Sequence, residues 1–328
     1  MLKVKVTFPY SSPYLRGQTP NCSCIWDNIE FFINTEISSC DYWIVLYGLG
    51  KKESTICPPE NTIFVTGEPV SVRKYEKLFL EQFATVVTAQ NLISHPQVYY
   101  DHQILPWYVH KTYDELCSMT SFDKKQSISL VTSNKRFSKG HEHRYKFSLA
   151  LKEYFGNRLD MYGRGIRDFD DKWDVLAPYK YSIAIENFSS KYYVTEKLTE
   201  CFLSYTFPFY YGCTNIDEYY PKESYEWIDI TDIDGSISLI ERVLQTPHHY
   251  STHLDSLCEA RSRYLEYYQM FPMLSKVVKS INNTSLNLPS TIILYPEKTT
   301  INDVMFKGKC FLSSSKNLID KYTLYRTK

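Results

Sequence analysis

The stretch Tyr179–Gly212, YKYSIAIENFSSKYYVTEKLTECFLSYTFPFYYG, constrains the fold more than any other part of the chain. YSIAI is a short apolar run of strand character, and Glu186-Asn187 ends it with two polar groups. A helix is expected to begin near Tyr193. Its apolar positions Val194, Leu198, Phe202 and Tyr205 fall at i, i+4, i+8 and i+11, one stripe of a 3.6-residue repeat. Pro208 is expected to stop that helix, and FPFYYG resumes as a strand. Glu196 and Lys197 then sit in the first turn, where free N–H groups and partial positive charge gather. A lysine is mildly unfavourable there by itself. It makes sense if an anion docks at that helix end, with N–H groups and ammonium converging on it.

The rest of the chain repeats the alternation. Lys3–Phe8, Asp41–Tyr47, Thr62–Thr66 and Thr85–Thr88 read as strands, with a helical pattern over Tyr75–Phe83 and an irregular stretch around Trp26 and Phe31-Phe32. The pattern weakens between Leu105 and Asp123, which places a domain junction there. Ser127–Thr132, Leu159–Gly163 and Trp227–Ile230 read as further strands, and His143–Phe155, Ser236–Leu244 and His253–Tyr268 as helices. Strands alternating with helices give parallel sheets covered by helices. In such sheets ligands sit at the carboxyl ends of strands, and Glu68, Asn134, Gly163 and Asn187 each lie just past one. The expected organisation is a first α/β domain over 1–123, a second over 124–285, and an extension over 286–328 in which LPSTIILYPE has strand character and the last residues form a solvated basic tail.

Residues Ile185-Glu186-Asn187, Tyr193-Val194-Thr195-Glu196-Lys197, Pro208 and Gly212 resemble the donor-binding signature of glycosyltransferase family 10, the α-1,3/1,4-fucosyltransferases. The family has an aromatic-Glu-Asn where this chain has Ile185, a change of packing. The resemblance implies the GT-B architecture, two Rossmann-like domains facing across a cleft. It also implies an inverting enzyme that moves L-fucose from GDP-β-L-fucose to an oligosaccharide or glycoconjugate, α-1,3 on an N-acetylglucosamine-containing acceptor of the lipopolysaccharide O-antigen kind. The alternatives are a GT-B enzyme for another nucleotide sugar and a catalytically silent carbohydrate-binding relative.

Such a transfer needs a base for the acceptor hydroxyl and cationic or N–H groups for the departing diphosphate. The resemblance extends more weakly to FVTGEP and implies Glu68 as the base, held extended by Pro69. It implies Arg144 on the diphosphate, with Arg136 as rival, because a guanidinium can bridge two phosphate oxygens. Lys197 and Tyr193 join them, and Asn134, Gly163, Glu186, Asn187 and Glu196 complete the donor-binding set. Asp232-Ile-Asp234 spells a metal-binding DxD, but it follows a late strand and precedes Gly235, so a turn is expected. His141-Glu-His143 and His248-His249 lack a third ligand at suitable spacing. No obligatory metal or other cofactor is expected.

Composition excludes some partners and leaves others open. Lys+Arg and Asp+Glu both number 37 in 328 residues, so bulk charge gives no footprint for nucleic acid. Tyrosine is abundant at 29 residues, which suits half-buried strands and equally stacking on sugars. Trp26, Tyr99, Tyr100 and Trp107 are candidate acceptor platforms. Nine cysteines without metal spacing read as free thiols of a reduced compartment. No signal peptide is expected before the first strand and no segment reaches transmembrane length. Animal members of the family carry an N-terminal membrane anchor, so the expectation is the bacterial type or a trimmed chain, cytoplasmic, with peripheral membrane contact as an option.

Overall fold

A computed structural model describes residues 1–10, 14–120, 123–281 and 288–297. The basic tail lies outside them. Strands of the first half are β1 (Leu2–Thr7), β2 (Ile25–Trp26), β3 (Ile29–Ile33), β4 (Tyr42–Leu46), β5 (Glu53–Cys57), β6 (Thr62–Val65), β7 (Thr85–Thr88) and β8 (Val98–Tyr100). All but β5 form a seven-stranded sheet in the order β2-β3-β1-β4-β6-β7-β8. It is parallel except where β2 meets β3. The second sheet has five parallel strands, β9 (Gln126–Val131), β10 (Leu159–Tyr162), β11 (Tyr179–Ile185), β12 (Phe207–Tyr211) and β13 (Glu226–Trp227), in the order β10-β9-β11-β12-β13. The central strand β4 is buried along its whole length and β11 everywhere but Lys180, as a sheet covered on both sides requires. A final strand, β14 (Ser290–Leu294), pairs antiparallel with β5.

Helices α1 (Lys77–Leu80), α2 (Tyr113–Ser118), α3 (Lys139–Phe155), α4 (Glu196–Leu203), α5 (Ile233–Gln245), α6 (His249–Thr252), α7 (Leu254–Arg263) and α8 (Met270–Ser280) cover the sheets. Most of α3, α4, α5 and α7 buries its apolar stripe with the second sheet. The last helix behaves differently. Met270, Phe271, Met273, Leu274, Val277 and Val278 of α8 pack with β1, β3, β4 and β6 of the first sheet. Phe271 meets Phe31 edge-on at 5.3 Å. The segment Asp101–His110 runs between the lobes. His102 sits against Tyr220 (Nε2···Oη 3.0 Å), the Gln103 amide donates to Tyr192 O (3.1 Å), and the Tyr108 amide donates to a carboxylate oxygen of Glu200 (2.5 Å).

Several boundaries differ from the sequence expectation. The stretch expected to be irregular around Trp26 and Phe31-Phe32 holds β2 and β3, and β5 and β8 had no counterpart. The helical pattern over Tyr75–Phe83 shrinks to the single turn of α1. The expected helix His253–Tyr268 is divided into α7 and a π-helical turn over Tyr264–Tyr268, with the short α6 before it. The expected strand Trp227–Ile230 is only Glu226–Trp227. Helix α3 begins at Lys139 because Ser138 caps it, its hydroxyl accepting from the His141 amide. Helix α4 begins at Glu196 because Thr195 is its N-cap. It ends before Tyr205, whose φ of 54° is left-handed, so Pro208 lies within β12 and does not stop it.

The placement of α8 gives a direct test. Phe271→Ala removes a fully buried ring from the first lobe's core, and urea unfolding is expected to show a loss of about 3–5 kcal/mol. Tyr267→Ala, at a side chain 60% exposed, is expected to change stability by less than about 0.5 kcal/mol.

Candidate active site

The site forms where the carboxyl end of β11 meets the amino end of α4. Glu186 follows β11 directly and is fully buried. Its Oε1 accepts from the Thr195 amide and hydroxyl, both at 2.8 Å, and its Oε2 takes Lys197 Nζ at 3.2 Å. Thr195 in turn caps the helix by accepting from the Lys197 amide. Burial raises the Glu186 carboxyl above its ordinary value, and the Lys197 charge opposes that rise. Glu196 is also enclosed. Burial alone would raise its carboxyl, but Lys197 at 3.5 Å and Lys172 at 3.8 Å hold it near 2. Burial disfavours the Lys197 ammonium, and Glu186 and Glu196 more than restore it. The helix end therefore carries a charged lattice with Lys197, 23% exposed, on its open side.

Asn187 continues the chain past β11 and lies beneath α3. It accepts from the Tyr193 hydroxyl (2.8 Å), and its amide nitrogen reaches His141 Nε2 (3.4 Å). The other ring nitrogen of His141 lies 2.6 Å from Ser138 Oγ. These contacts assign a neutral ring, protonated on Nδ1 and accepting at Nε2. Burial, with Arg144, Lys135 and Lys197 nearby, lowers His141 to about 4. Gly140 makes this approach possible, because a Cβ there would stand 1.8 Å from Asn187 O. Gly163 does the same at the end of β10: its φ is 126°, and a Cβ would lie 1.7 Å from Thr132 O. Asn134 is exposed on the rim, its amide donating to Arg164 O.

A recess of about 170 Å³, open to solvent, is lined by Thr132, Ser133, Arg144, Lys172, Glu196 and Lys197 among others. Arg144 is 5% exposed and donates to Ser133 Oγ at 3.1 Å. Its Nε and the Thr132 hydroxyl find no hydrogen-bond partner among the described residues. Arg136, by contrast, is exposed and lies over the Tyr145 ring at 4.2 Å. On the facing lobe Glu68 stands three residues past β6, with solvent reaching its side chain. Desolvation by the surrounding walls raises its carboxyl above 4.5, Lys197, Lys135 and Arg73 pull it down, and Glu196 pushes it up. Glu68 and the α4 end thus act on each other across the space between the lobes.

Sequence reasoning missed three members of this arrangement. Lys172, in the loop before β11, pairs with Glu200 at 2.5 Å. Glu200, one turn along α4 from Glu196, also holds the Tyr108 amide of the first lobe. His141 was weighed only as a metal ligand. Asp232 of the DxD is the N-cap of α5, accepting from the Gly235 amide at 3.0 Å. Of the candidate platforms, Trp107 is in the core, whereas Tyr99 and Tyr100 are exposed. The eight described cysteines are free thiols. No helix among the described residues is long and apolar enough to cross a membrane.

The buried neutral histidines give a pH dependence. His141 and His102 both fall to about 4, each through burial first, so the unfolded chain takes up their protons more readily. Their contribution is complete above the ordinary value near 6.5 and is lost as pH falls from there towards 4. The free energy of unfolding from denaturant titrations is expected to decline over that interval by a few kcal/mol in total, and His102→Gln, which cannot titrate, is expected to flatten the decline.

Comparison with known proteins places the chain by its sequence. Residues 121–286, half of the chain, match the family model described as glycosyltransferase family 10 (fucosyltransferase), C-terminal region. A 90-residue stretch, 27% of this chain, is 32% identical to the α-(1,3)-fucosyltransferase FucT of Helicobacter pylori and spans 18% of that protein's length. A crystal structure of an α1,3-fucosyltransferase with GDP has the same fold at a TM-score of 0.52 and 16% identity, over 87% of this chain and 91% of that one. The structure of an α1,3-fucosyltransferase with GDP-fucose gives 0.50 and 18% over the same shares. With its two largely parallel sheets in the GT-B arrangement and the match through its second lobe, the chain belongs to glycosyltransferase family 10.

Proposed function

We propose that this chain transfers L-fucose from GDP-β-L-fucose to a glycan hydroxyl by a single inverting displacement. The observation that carries the reading is the recess at the start of α4, where buried Arg144 keeps an unpartnered Nε beside Lys197 and the Lys197 charge reaches Glu68 on the facing lobe. In the step, the acceptor oxygen attacks the anomeric carbon as its bond to the β-phosphate oxygen breaks. Glu68 takes the acceptor's proton, and the bond's electrons leave on GDP. The negative charge that grows on the diphosphate is met by Lys197, by Arg144 with its open Nε, and by the N–H groups that begin α4. Glu186 acts by holding Thr195 and Lys197, and Tyr193 by holding Asn187. Asn134 and Gly163 form the rim over the donor. Because protein cations already surround the recess, the reaction is proposed to need no divalent metal.

The finer form of the proposal is an α-1,3 linkage, as the α-1,3-fucosyltransferases similar to this chain make, to an acceptor that contains N-acetylglucosamine. Tyr99 and Tyr100, exposed on the first lobe beside the cleft, offer faces for that sugar.

The test is GDP release from GDP-fucose with a panel of lactosamine acceptors, with and without EDTA. Glu68→Gln is expected to lower kcat roughly a hundredfold or more with little change in GDP affinity. Lys197→Ala is expected to lose the thermal stabilisation by GDP. A carboxylate base works only when ionised, so kcat/KM should rise with pH through a limb above 4.5 that Glu68→Gln removes. Full turnover in both variants would reject the roles given to Glu68 and Lys197, and stabilisation by UDP and not GDP would reject the fucosyl reading.

A further inference from the structure

Residues 288–297, after the family-matched region, reach the loop that carries Glu68. Strand β14 brings the chain to Tyr295 and Glu297. Gln82 fixes Tyr295 at both ends, accepting from its amide (2.8 Å) and donating to its carbonyl (3.1 Å). Glu297, only 15% exposed, then accepts from Arg73 Nη2 and from the Glu76 amide, each at 2.7 Å. Arg73 uses its other terminal nitrogen to donate to Tyr47 O at 2.7 Å. Its guanidinium lies over Tyr75, whose hydroxyl accepts from the Gly67 amide at 3.0 Å. Gln90 closes the ring, its amide nitrogen reaching Glu68 O (2.5 Å) and Arg73 O (3.0 Å). The Tyr75–Gly67 bond and the two Gln90 bonds tie the backbone at and before Glu68 to the backbone after it, and Glu297 and Tyr47 hold Arg73 on that loop. The only carboxylate that grips Arg73 among the described residues comes from a position more than 220 residues away in sequence.

We propose that Glu297 is a positioning residue for the transfer, holding Arg73 and through it the 66–76 loop so that Glu68 keeps its aim across the cleft. The inference rests on the fucosyl reading. It gives the C-terminal segment a part in catalysis without touching either substrate. Without Glu297, Arg73 has a free positive end on the loop of the base. The charged groups that face Glu68 are then Lys197 and Glu196 from α4, Lys135 from the loop after β9, and an unbalanced Arg73. That change favours the ionised base but loosens the loop that directs it.

The experiment compares the full chain with Glu297→Gln, in which one of the two accepting oxygens becomes a donor. The measurements are kcat and KM for GDP-fucose, the pH profile of kcat/KM, and amide hydrogen exchange over residues 66–76. The expected result is a kcat about tenfold lower with KM for the donor little changed, an acid limb displaced to lower pH, and faster exchange at Gly67 through Arg73. Arg73→Lys, which cannot span Tyr47 O and Glu297 together, is expected to reproduce the kinetic change if Glu297→Gln lowers overall stability too far. Unchanged kcat, pH profile and exchange in both variants would overturn the inference. A wild-type chain inert toward GDP-fucose would reject the functional reading instead. The exchange measurement would then decide the loop's anchoring by itself, with unaltered exchange counting against it.

Discussion

The site depends on one buried carboxylate. Glu186 has no access to water and is satisfied from three directions by the Thr195 amide, the Thr195 hydroxyl and Lys197. Charge-assisted hydrogen bonds of this kind are shorter and stronger than neutral ones. Removing one partner of a buried pair leaves a charge that costs several kcal/mol. The carboxylate thus fixes where the loop after β11 re-enters the fold, in which direction α4 points, and where its lysine stands. An acid at the positive end of a helix is favoured by the local dipole. Here the two acids that flank Lys197 keep it charged and fixed in place, with the part of the ammonium that stays exposed turned to the recess.

Much of this was legible in the sequence, for reasons that differ by residue. The signature around Glu186 and Lys197 is short-range: a strand end, a capping threonine and a helix start within a dozen positions, so spacing alone brings the groups together. Glycine at 163 was legible as a turn, and the structure gives the reason in its φ of 126° and the carbonyl beneath it. The start of α4 was placed too early because its apolar stripe was followed through Val194, although Thr195-Glu196 is itself a capping signal. Lys172 and Glu200 were not legible. Neither has a local pattern, and their pairing exists only because the loop before β11 folds over α4. The same holds for α8, whose stripe shows that it is half-buried but not which sheet it covers.

The choice between the two arginines turns on packing and not on charge. Arg136 has an aromatic face to rest on and water around it. Arg144 has been taken out of water with one nitrogen unmet. Burying a guanidinium in that state is unfavourable until an acceptor arrives, so the recess is primed for a ligand rich in oxygens.

The return of α8 to the first sheet has a consequence for how the chain is made. Strands β1, β3, β4 and β6 leave the ribosome early, yet the helix that seals one of their faces is encoded near residue 270. The first lobe must wait, with its Val, Ile and Phe side chains open to water, until the whole of the second lobe has been synthesised. Contacts of such long sequence separation are slow to form, and an unsealed parallel sheet is prone to stick to others of its kind. The two lobes are therefore distinct in architecture but dependent in biogenesis, and the half that is translated first is the half that matures last.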